Sequence, residues 1–245
     1  MVVNAVTVCV GYDDLLAITL PRMTAVFERI CVVTDQHDCA TVLVAESRDN
    51  VFAHQTDAFY RDGATFNKGA AVEEGFTAVG RDGWMCVIDA DLVLPLGTDL
   101  SACEPGFLYT ARRRMCYDPG KWDGSEDWSR FTLSRDREWA GYLQVFHADD
   151  PVLRKRPWYD LTWRHAGGCD SSFQGRWKPN RKRLLPFKAL HLGAVSLNWW
   201  GRQTKRLDGS MPAGAVESRR LRDEMVYHRR RNRRAYDWER IHDPS

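Results

Sequence analysis

The sequence alternates short apolar runs with longer stretches whose apolar residues recur at helical spacing. Short runs at 2–10, 30–34, 50–54 and 84–88 are typical of strands, and the most apolar of them of strands buried on both faces of a parallel sheet. Residues 15–28 and 66–76 carry apolar side chains every three or four positions, which predicts helices. Strands and helices in this order predict an α/β fold, with a right-handed, mixed and mainly parallel sheet flanked by helices.

Three details of the first half follow from local residue preferences. Pro21 is favoured only in the first turn of a helix, so the first helix begins either near Leu15 or at Pro21 itself. Residues 41–45 fit a helix and a strand equally well. Gly75 and Gly80 are expected to loosen the end of the second helix.

Beyond Pro95 the periodicity weakens. Strands are predicted at 106–111, where Arg112, Arg113 and Arg114 close the run, and at 139–147. The polar residues 117–138 predict a long loop or lid. Residues 157–183 are expected to form loop and helix, and residues 184–192 to return to the core. Residues 215–240 predict a strongly basic helix with Leu221, Met225 and Val226 as its docking face.

The central run 84–88 leads directly into Asp89-Ala90-Asp91. A doubly buried strand does not accommodate carboxylates, so both are predicted at its carboxyl end, where open α/β sheets bind ligands. Residues i and i+2 of an extended chain point the same way, and two carboxylates facing one point suit Mg²⁺ or Mn²⁺. A polar turn after a strand is the alternative for so short a motif.

Composition and length suit one large soluble domain, with 245 residues of which 44% are hydrophobic and 28% charged. No segment approaches the roughly 18 apolar residues of a membrane span, and the apolar start lacks the features of a signal peptide. The seven cysteines form no C-x-x-C pair and are odd in number, which favours reduced thiols in a cytoplasmic protein.

The charge is distributed unevenly. Residues 1–150 hold 13 Lys and Arg against 24 Asp and Glu, whereas residues 151–245 hold 22 against 9. This asymmetry indicates either a polyanionic partner for the basic half or two halves that pack together and neutralise each other.

Three local motifs carry a resemblance to a known family. They are Thr56-Asp57-Ala58-Phe59-Tyr60, Phe66-Asn67-Lys68-Gly69-Ala70-Ala71 and Asp89-Ala90-Asp91-Leu92-Val93-Leu94-Pro95. Over residues 3–205 the chain resembles GT-A fold glycosyltransferases, most closely the small family-two-like enzymes of bacteriophages and bacteria. The resemblance implies a GT-A domain over 1–205, with a nucleotide-sugar-binding half (1–97), an acceptor-binding half (98–205) and a basic helical extension at 206–245.

The resemblance implies that the first half holds a nucleoside diphosphate sugar, such as a UDP- or GDP-sugar. Asp35 would contact the base or ribose, and Asn67 and Lys68 the ribose or diphosphate at a helix amino end. Asp89 would contact ribose or metal, and Asp91 the metal directly. An exposed helical lysine is the alternative for Lys68.

Two later residues acquire roles from the same resemblance. Ala166-Gly167-Gly168-Cys169-Asp170 is similar to a Gly-Gly-Glu-Asp region that supplies the catalytic base, here Asp170, of an inverting transferase. A helix N-cap is the alternative for Asp170. His191 is expected as a third metal ligand, with a hydrogen-bonded core histidine as the alternative.

Arg176, Trp199 and Arg202 are the expected substrate contacts of the basic half. Its aromatic residues, interleaved with arginines, suit a nucleic-acid strand, so a hydroxymethylated pyrimidine in phage DNA is one candidate acceptor. A glycan or small molecule stacked on tryptophan is the other, and tryptophans buried in the core are the structural alternative. If the protein is encoded by a phage, it would act in the cytoplasm of the host cell.

Two other classes of function also fit parts of the sequence. A nucleotidyltransferase would use a strand-end Asp-x-Asp and a metal, although Gly11-Tyr12-Asp13-Asp14 is not a Gly-rich phosphate loop. A non-catalytic nucleic-acid-binding protein would account for the arginines but leave Asp89, Asp91 and Asp170 without a role.

Overall fold

A computed structural model of the chain describes residues 1–134, 141–193 and 198–212. Its strands are β1 (Val3–Val8), β2 (Arg29–Asp35), β3 (Val51–Thr56), β4 (Trp84–Ile88), β5 (Leu92–Val93), β6 (Leu108–Cys116), β7 (Thr132–Leu133), β8 (Leu143–His147) and β9 (Lys182–Leu192). Its α-helices are α1 (Asp13–Thr24), α2 (Cys39–Ala45), α3 (Lys68–Val79) and α4 (Cys169–Gln174).

The strands of the described residues form one sheet in the order β3-β2-β1-β4-β8-β6-β9-β5, with β7 paired to β6. The first four strands pair in parallel, and β8 joins β4 in the antiparallel direction. Beyond β8, β6 and β9 are parallel, and β5 pairs antiparallel with β9. The predicted α/β fold with a mixed, mainly parallel sheet is confirmed.

The central strand β4 is buried on both faces because helices cover both sides of the sheet. Val87 lies in the core cluster that contains Phe76 of α3, whereas Cys86 and Ile88 lie in the cluster that contains Leu16 of α1. Each fully buried large apolar side chain contributes about 1.5–3 kcal/mol. These two layers fix β4, and with it the position of the residues that follow.

Glycine 75 brings α3 close to the sheet instead of loosening the helix end. A Cβ at Gly75 would lie 2.6 Å from a methyl group of Val6 and 2.7 Å from one of Val33. The helix continues past this residue to Val79. The expectation that Gly75 weakens the helix is therefore wrong, because its missing side chain is what lets α3 pack on β1 and β2.

Helix α1 begins at Asp13, and Pro21 lies inside it. The alternative in which the helix begins at Pro21 is wrong. Both Pro21 and Ala17, whose carbonyl loses its helical partner, are exposed, so water can replace that hydrogen bond. Residues 41–45, which fitted helix and strand equally, belong to α2, where the Asp38 side chain caps the helix by accepting from Thr41 N at 3.1 Å.

Strand β6 runs through the three arginines to Cys116 instead of ending at them. Arg112 is exposed, whereas Ala111, Arg113 and Met115 are buried, so the alternation of a strand continues. The predicted strand at 139–147 is confirmed from Leu143 onward. Residues 139–140 and the basic helix predicted at 215–240, with Leu221, Met225 and Val226, lie outside the described residues.

The boundary expected between residues 97 and 98 falls between β5 and β6. Among the described residues, no helix is long and apolar enough to cross a membrane.

Candidate active site

The Asp89-Ala90-Asp91 segment lies at the carboxyl end of β4 and is held on both sides. The carbonyl oxygen of Ala90 accepts from the Thr19 hydroxyl of α1 at 2.6 Å, and Leu192 N donates to the carbonyl oxygen of Asp91 at 2.9 Å. Because β5 pairs with β9 so that Leu92 opposes His191, the histidine comes to lie beside Asp91.

Asp89, Asp91 and His191 form a group that could hold a metal ion, with one ligand atom from each lying within 4.8 Å of the others. His191 Nε2 lies 3.6 Å from Asp91 Oδ1. This distance is too long for a hydrogen bond, so the two side chains lie side by side without pairing directly. The buried Nδ1 of His191 has no hydrogen-bond partner among the described residues. This donor set fits Mn²⁺ or Mg²⁺.

Burial raises the pKa of Asp91; His191 opposes the increase, and the charge of Asp89 adds to it. A bound divalent cation would reverse this effect, because it stabilises the ionised carboxylate. A cation bound beside Asp91 would therefore offset the free-energy cost of burying the charge of its carboxylate.

Lys68, the first residue of α3, lies between Asp89 and Asp170 and contacts both. Its Nζ lies 2.9 Å from Asp89 Oδ1 and 3.2 Å from Asp170 Oδ2. The lysine is only 8% exposed, so it is not the exposed helical lysine of the alternative interpretation. Burial acts to lower the pKa of Lys68, but Asp170 and Asp89 outweigh it and hold that pKa well above its usual value.

Asp170 lies in the first turn of α4, whose N-cap residue is Gly168. The structure shows no side-chain cap hydrogen bond at this helix, so Asp170 does not act as the N-cap. Asp170 Oδ1 is buried without a hydrogen-bond partner among the described residues. Burial raises the pKa of Asp170 to about 6, although Lys68 opposes the increase. A pKa in this range suits a general base that acts near neutral pH.

These groups share one cavity of about 390 Å³. Its charged and imidazole-bearing lining residues are Lys68, Asp89, Asp91, Arg113, Asp170 and His191, and Trp199 lies in the same wall. A volume of this size is within the range of small-molecule sites.

Asp35 and Asn67 do not line this cavity. Asp35 Oδ1 accepts from His37 N at 2.9 Å just after β2. Asn67 is the N-cap of α3: its Oδ1 accepts from Ala70 N at 2.9 Å and its Nδ2 donates to the carbonyl oxygen of Leu161 at 3.0 Å. Capping is a role that the sequence analysis did not consider for Asn67.

Arg176 and Arg202 do not line the cavity either. Arg176 donates to the carbonyl oxygens of Val152 and Pro157. Arg202 is 4% exposed and forms an ion pair with Asp14. In the structure, both arginines are engaged in holding other segments of the chain.

The cavity also contains residues that the sequence analysis did not single out. Tyr12, Arg113, Gly141 and Tyr142 all line it. The alternation of Tyr109, Ala111, Arg113 and Met115 along one strand is the signal that could have identified the buried arginine. Nothing local in the sequence marks the other three.

Most of the aromatic residues expected to stack on bases are in the core. Trp158, Tyr159, Trp163 and Trp177 are all at most 8% exposed. The interpretation of these four as a nucleic-acid surface is wrong, because they pack under α3 and α4 in one apolar cluster. Of the other two aromatic residues expected in this role, Trp200 is half-buried and does not line the cavity, whereas Trp199 is 42% exposed and lines it.

Comparison with known proteins supports the fold assignment. No family model matches the sequence, and no match is found among curated proteins. TarS of S. aureus shares the fold with a TM-score of 0.51 and 10% identity, over 80% of this chain and 37% of TarS. The chain therefore spans little more than a third of that protein.

Two further solved structures align with lower scores. The 4-diphosphocytidyl-2C-methyl-D-erythritol synthase of Anaerococcus prevotii gives a TM-score of 0.46 at 12% identity, over 80% of this chain and 88% of that one. The mannosyl-3-phosphoglycerate synthase of Rubrobacter xylanophilus gives 0.40 at 20% identity, over 60% and 53%. At 10% identity, the match to TarS shows a shared α/β fold and no more than that.

Proposed function

We propose that this protein is a metal-dependent, inverting glycosyltransferase that moves a sugar from a nucleoside diphosphate sugar to an acceptor hydroxyl. The observation that carries the proposal is that three kinds of side chain needed for this reaction lie together in one cavity. A cation-binding group (Asp89, Asp91 and His191), a buried lysine and a carboxylate with a raised pKa lie side by side there.

The residues of the cation-binding group would hold Mn²⁺ or Mg²⁺. When bound, such an ion supplies positive charge that stabilises a departing diphosphate and orients it. Lys68 fixes Asp89 and Asp170 relative to each other through its two ion pairs. Positions held in this way favour a reaction that requires an exact alignment of donor and acceptor.

Asp170 is the proposed base. It accepts the proton of the acceptor hydroxyl as the oxygen attacks the anomeric carbon, on the face opposite the leaving group. Its carboxylate group belongs to a residue that lines the cavity in which the acceptor hydroxyl would lie. Attack from the opposite face inverts the anomeric configuration.

The acceptor is proposed to present a ring to Trp199, whose indole is exposed and lies beside the cavity. A hydroxymethylated pyrimidine in phage DNA and a sugar of a glycan both offer such a ring with a hydroxyl group. The basic charge of residues 151–245 supports the DNA acceptor, whereas the glycan acceptor is supported by the stacking residue Trp199 alone.

Incubating the protein with Mn²⁺ and a panel of UDP- and GDP-sugars, with glycoside and hydroxymethylated DNA acceptors, tests the proposal. We expect release of a nucleoside diphosphate and a sugar-bearing product of inverted configuration, both detected by mass spectrometry and NMR. Asp170→Asn should keep donor affinity and lose at least about a hundredfold in turnover, the lower limit for a general base.

Other products would point elsewhere. Release of pyrophosphate from a nucleoside triphosphate, without any reaction of a diphosphate sugar, would identify a nucleotidyltransferase. Full turnover in Asp170→Asn would remove the assigned base.

A further inference from the structure

Six exposed basic residues lie between β8 and the beginning of β9, outside the cavity. Over residues 151–193 the sequence holds 10 Lys and Arg against 2 Asp and Glu, so positive charge accumulates in this part of the chain. The six residues, which together form the basic surface, are Arg154, Lys155, Arg156, Lys178, Arg181 and Arg183.

Contacts between neighbouring segments bring the basic surface together at one end of α4. Arg176 follows this helix and donates to two carbonyl oxygens of the segment 152–157, which places the first three basic residues there. Lys182 donates to the side-chain oxygen of Gln174, the last residue of α4. This second contact holds the segment 178–183 at the same end of the helix, so the charges of both segments add to one another.

In the part of the chain that the structure describes, none of the six residues forms an ion pair with a carboxylate. Other arginines do form such pairs, namely Arg22, Arg61, Arg81, Arg130, Arg202 and Arg206. The guanidinium carbons of Arg181 and Arg183 instead lie 5.1 and 4.3 Å from the ring centroid of Phe107. Two like charges held on one ring repel each other, so an anionic partner would stabilise this surface.

The basic surface begins about one helical turn from the proposed base. Asp170 lies in the first turn of α4 and lines the cavity, and Gln174 ends the helix. A helix advances about 1.5 Å per residue, so about 6 Å separates the two along the axis. A strand of duplex DNA advances about 3.4 Å per nucleotide. A strand with one base in the cavity would therefore bring phosphates of nearby nucleotides to the basic surface.

We propose that the basic surface binds the phosphate backbone of a nucleic-acid strand, and that this strand is the acceptor. The inference rests on the proposed function, whose acceptor it narrows to nucleic acid. Phosphates meet the cations, while the base that carries the hydroxyl enters the cavity and stacks on Trp199. Unpaired cations spread over two segments exceed what one small glycoside can contact, and they fit a polymer with repeated negative charges.

The transfer step keeps the balance of the proposed function. The hydroxyl oxygen on the base bonds to the anomeric carbon and its proton passes to Asp170. The bond from the anomeric carbon to the diphosphate breaks, and its electron pair leaves with the diphosphate. The basic surface takes no part in these bond changes, so its loss should affect binding of the acceptor and leave the donor site intact.

The test is a fluorescence anisotropy titration of labelled single-stranded DNA that contains hydroxymethylcytosine, at several salt concentrations. Six phosphate contacts predict a slope of about −4 for log affinity against log salt, at about −0.7 for each contact. The double variants Arg154→Gln with Arg156→Gln and Arg181→Gln with Arg183→Gln should each bind more weakly and reduce that slope by about 1.4. Trp199→Ala should weaken binding by at least about fivefold at an unchanged slope, since it removes a stacked base and no phosphate contact.

The matched control is the double variant Arg61→Gln with Arg130→Gln, which removes the same charge from exposed arginines elsewhere. It should bind DNA as the wild type does. Equal weakening in this control, displacement of the DNA by polyglutamate as readily as by unlabelled DNA, or no DNA binding by the wild type would overturn the inference.

Calorimetry with a nucleoside diphosphate and Mn²⁺ on the same proteins separates this inference from the proposed function. All variants should bind the diphosphate as the wild type does. A wild-type protein that binds the diphosphate but not DNA would leave the proposed function standing with another acceptor. A wild-type protein that binds DNA but no nucleoside diphosphate would overturn both, because no donor would then be available for a transfer.

Discussion

The position of the proposed base depends on a residue that has no side chain. A Cβ added at Gly141 would lie 1.8 Å from Cγ of Asp170 and 2.2 Å from its Oδ2. Neither atom belongs to the end of a long flexible chain, so any larger residue at this position must displace the carboxylate. Gly141 therefore determines where Asp170 can stand, although it performs no chemistry.

Gly141→Ala should lower turnover by about a hundredfold, the effect of a misplaced catalytic group, while donor binding with Mn²⁺ is retained. Gly120→Ala is the control, since its Cβ would meet only an atom at 3.5 Å. Steady-state kinetics and calorimetry separate the two effects. Wild-type turnover in Gly141→Ala would show that the carboxylate is not held where the structure has it.

The pKa of Asp170, raised to about 6 by burial, predicts the pH dependence of turnover. A base accepts a proton only when ionised, so kcat should be constant at higher pH and fall as the pH is lowered through about 6. A cation bound to Asp89 would shift this limb to lower pH, because it cancels a negative charge that helps to raise the pKa. A pH–rate profile that rises on acidification would contradict the assignment of Asp170 as base.

Single residues were predictable where a local pattern marks them. Asp89 and Asp91 follow a strand that is recognisable from its apolar run, and that context alone places them at the edge of the sheet. The burial of Arg113 could have been inferred from the alternation along its strand, whereas Gly141 could not be found in this way, because its importance comes from a close approach of distant segments. Asn67 is a different case, because an asparagine just before a helix is a local signal for an N-cap, and this role was overlooked in favour of a ligand contact.

At the scale of elements, the first turn of α1 is joined to residues 198–212 by two adjacent ion pairs. Arg202 donates to both carboxylate oxygens of Asp14 and to the carbonyl oxygen of Gly11. Arg206 Nη1 and Nη2 each lie 2.6 Å from an oxygen of Asp13. Through these contacts the segment that carries Trp199 is fixed beside the cavity.

The Asp14–Arg202 pair is buried, with side chains 10% and 2% exposed. Asp14→Asn should therefore destabilise the protein by about 3–5 kcal/mol, because it leaves a buried guanidinium without its counter-charge. The double variant with Arg202→Met should lose less than the sum of the two single variants. Thermal and urea unfolding measure both quantities.

Asp57→Asn is the control for this prediction, since Asp57 and Arg61 form an exposed pair, with side chains 56% and 51% exposed. Its melting temperature should stay close to that of the wild type. Strictly additive losses at positions 14 and 202 would show that the buried pair is not the source of the effect.

Most helices and strands of the first half could be predicted from the sequence, and fewer of those in the second half could. Strands such as β4 have apolar runs that no other element explains. Of the two starts considered for α1, only the one at Pro21 is wrong, because the solvent exposure that makes proline tolerable inside the helix depends on which face the fold buries. The end of β6 was misjudged because three successive arginines look like a terminus, whereas only alternate ones point away from the core.

For the molecule as a whole, the order of the strands brings residues from distant parts of the sequence into one cavity. The parallel half supplies Asp89 and Asp91 after β4, and the second half of the chain brings Asp170 on α4 and His191 on β9 into the same cavity. This return of the chain joins residues far apart in sequence, which is why His191 and Asp170 could be assigned only through resemblance. The charge asymmetry was interpreted either as a sign of a polyanionic partner or as mutual neutralisation of the two halves. The ion pairs of Asp14 with Arg202 and of Asp13 with Arg206 fit the second interpretation.

A titration with Mn²⁺ followed by electron paramagnetic resonance tests the central claim most directly. We expect one ion per wild-type chain, weaker binding in Asp91→Asn and His191→Ala, and wild-type binding in Asp118→Asn, whose carboxylate is 62% exposed. A wild-type protein that binds no Mn²⁺, or an Asp91→Asn variant that binds it as tightly as the wild type, would contradict the account.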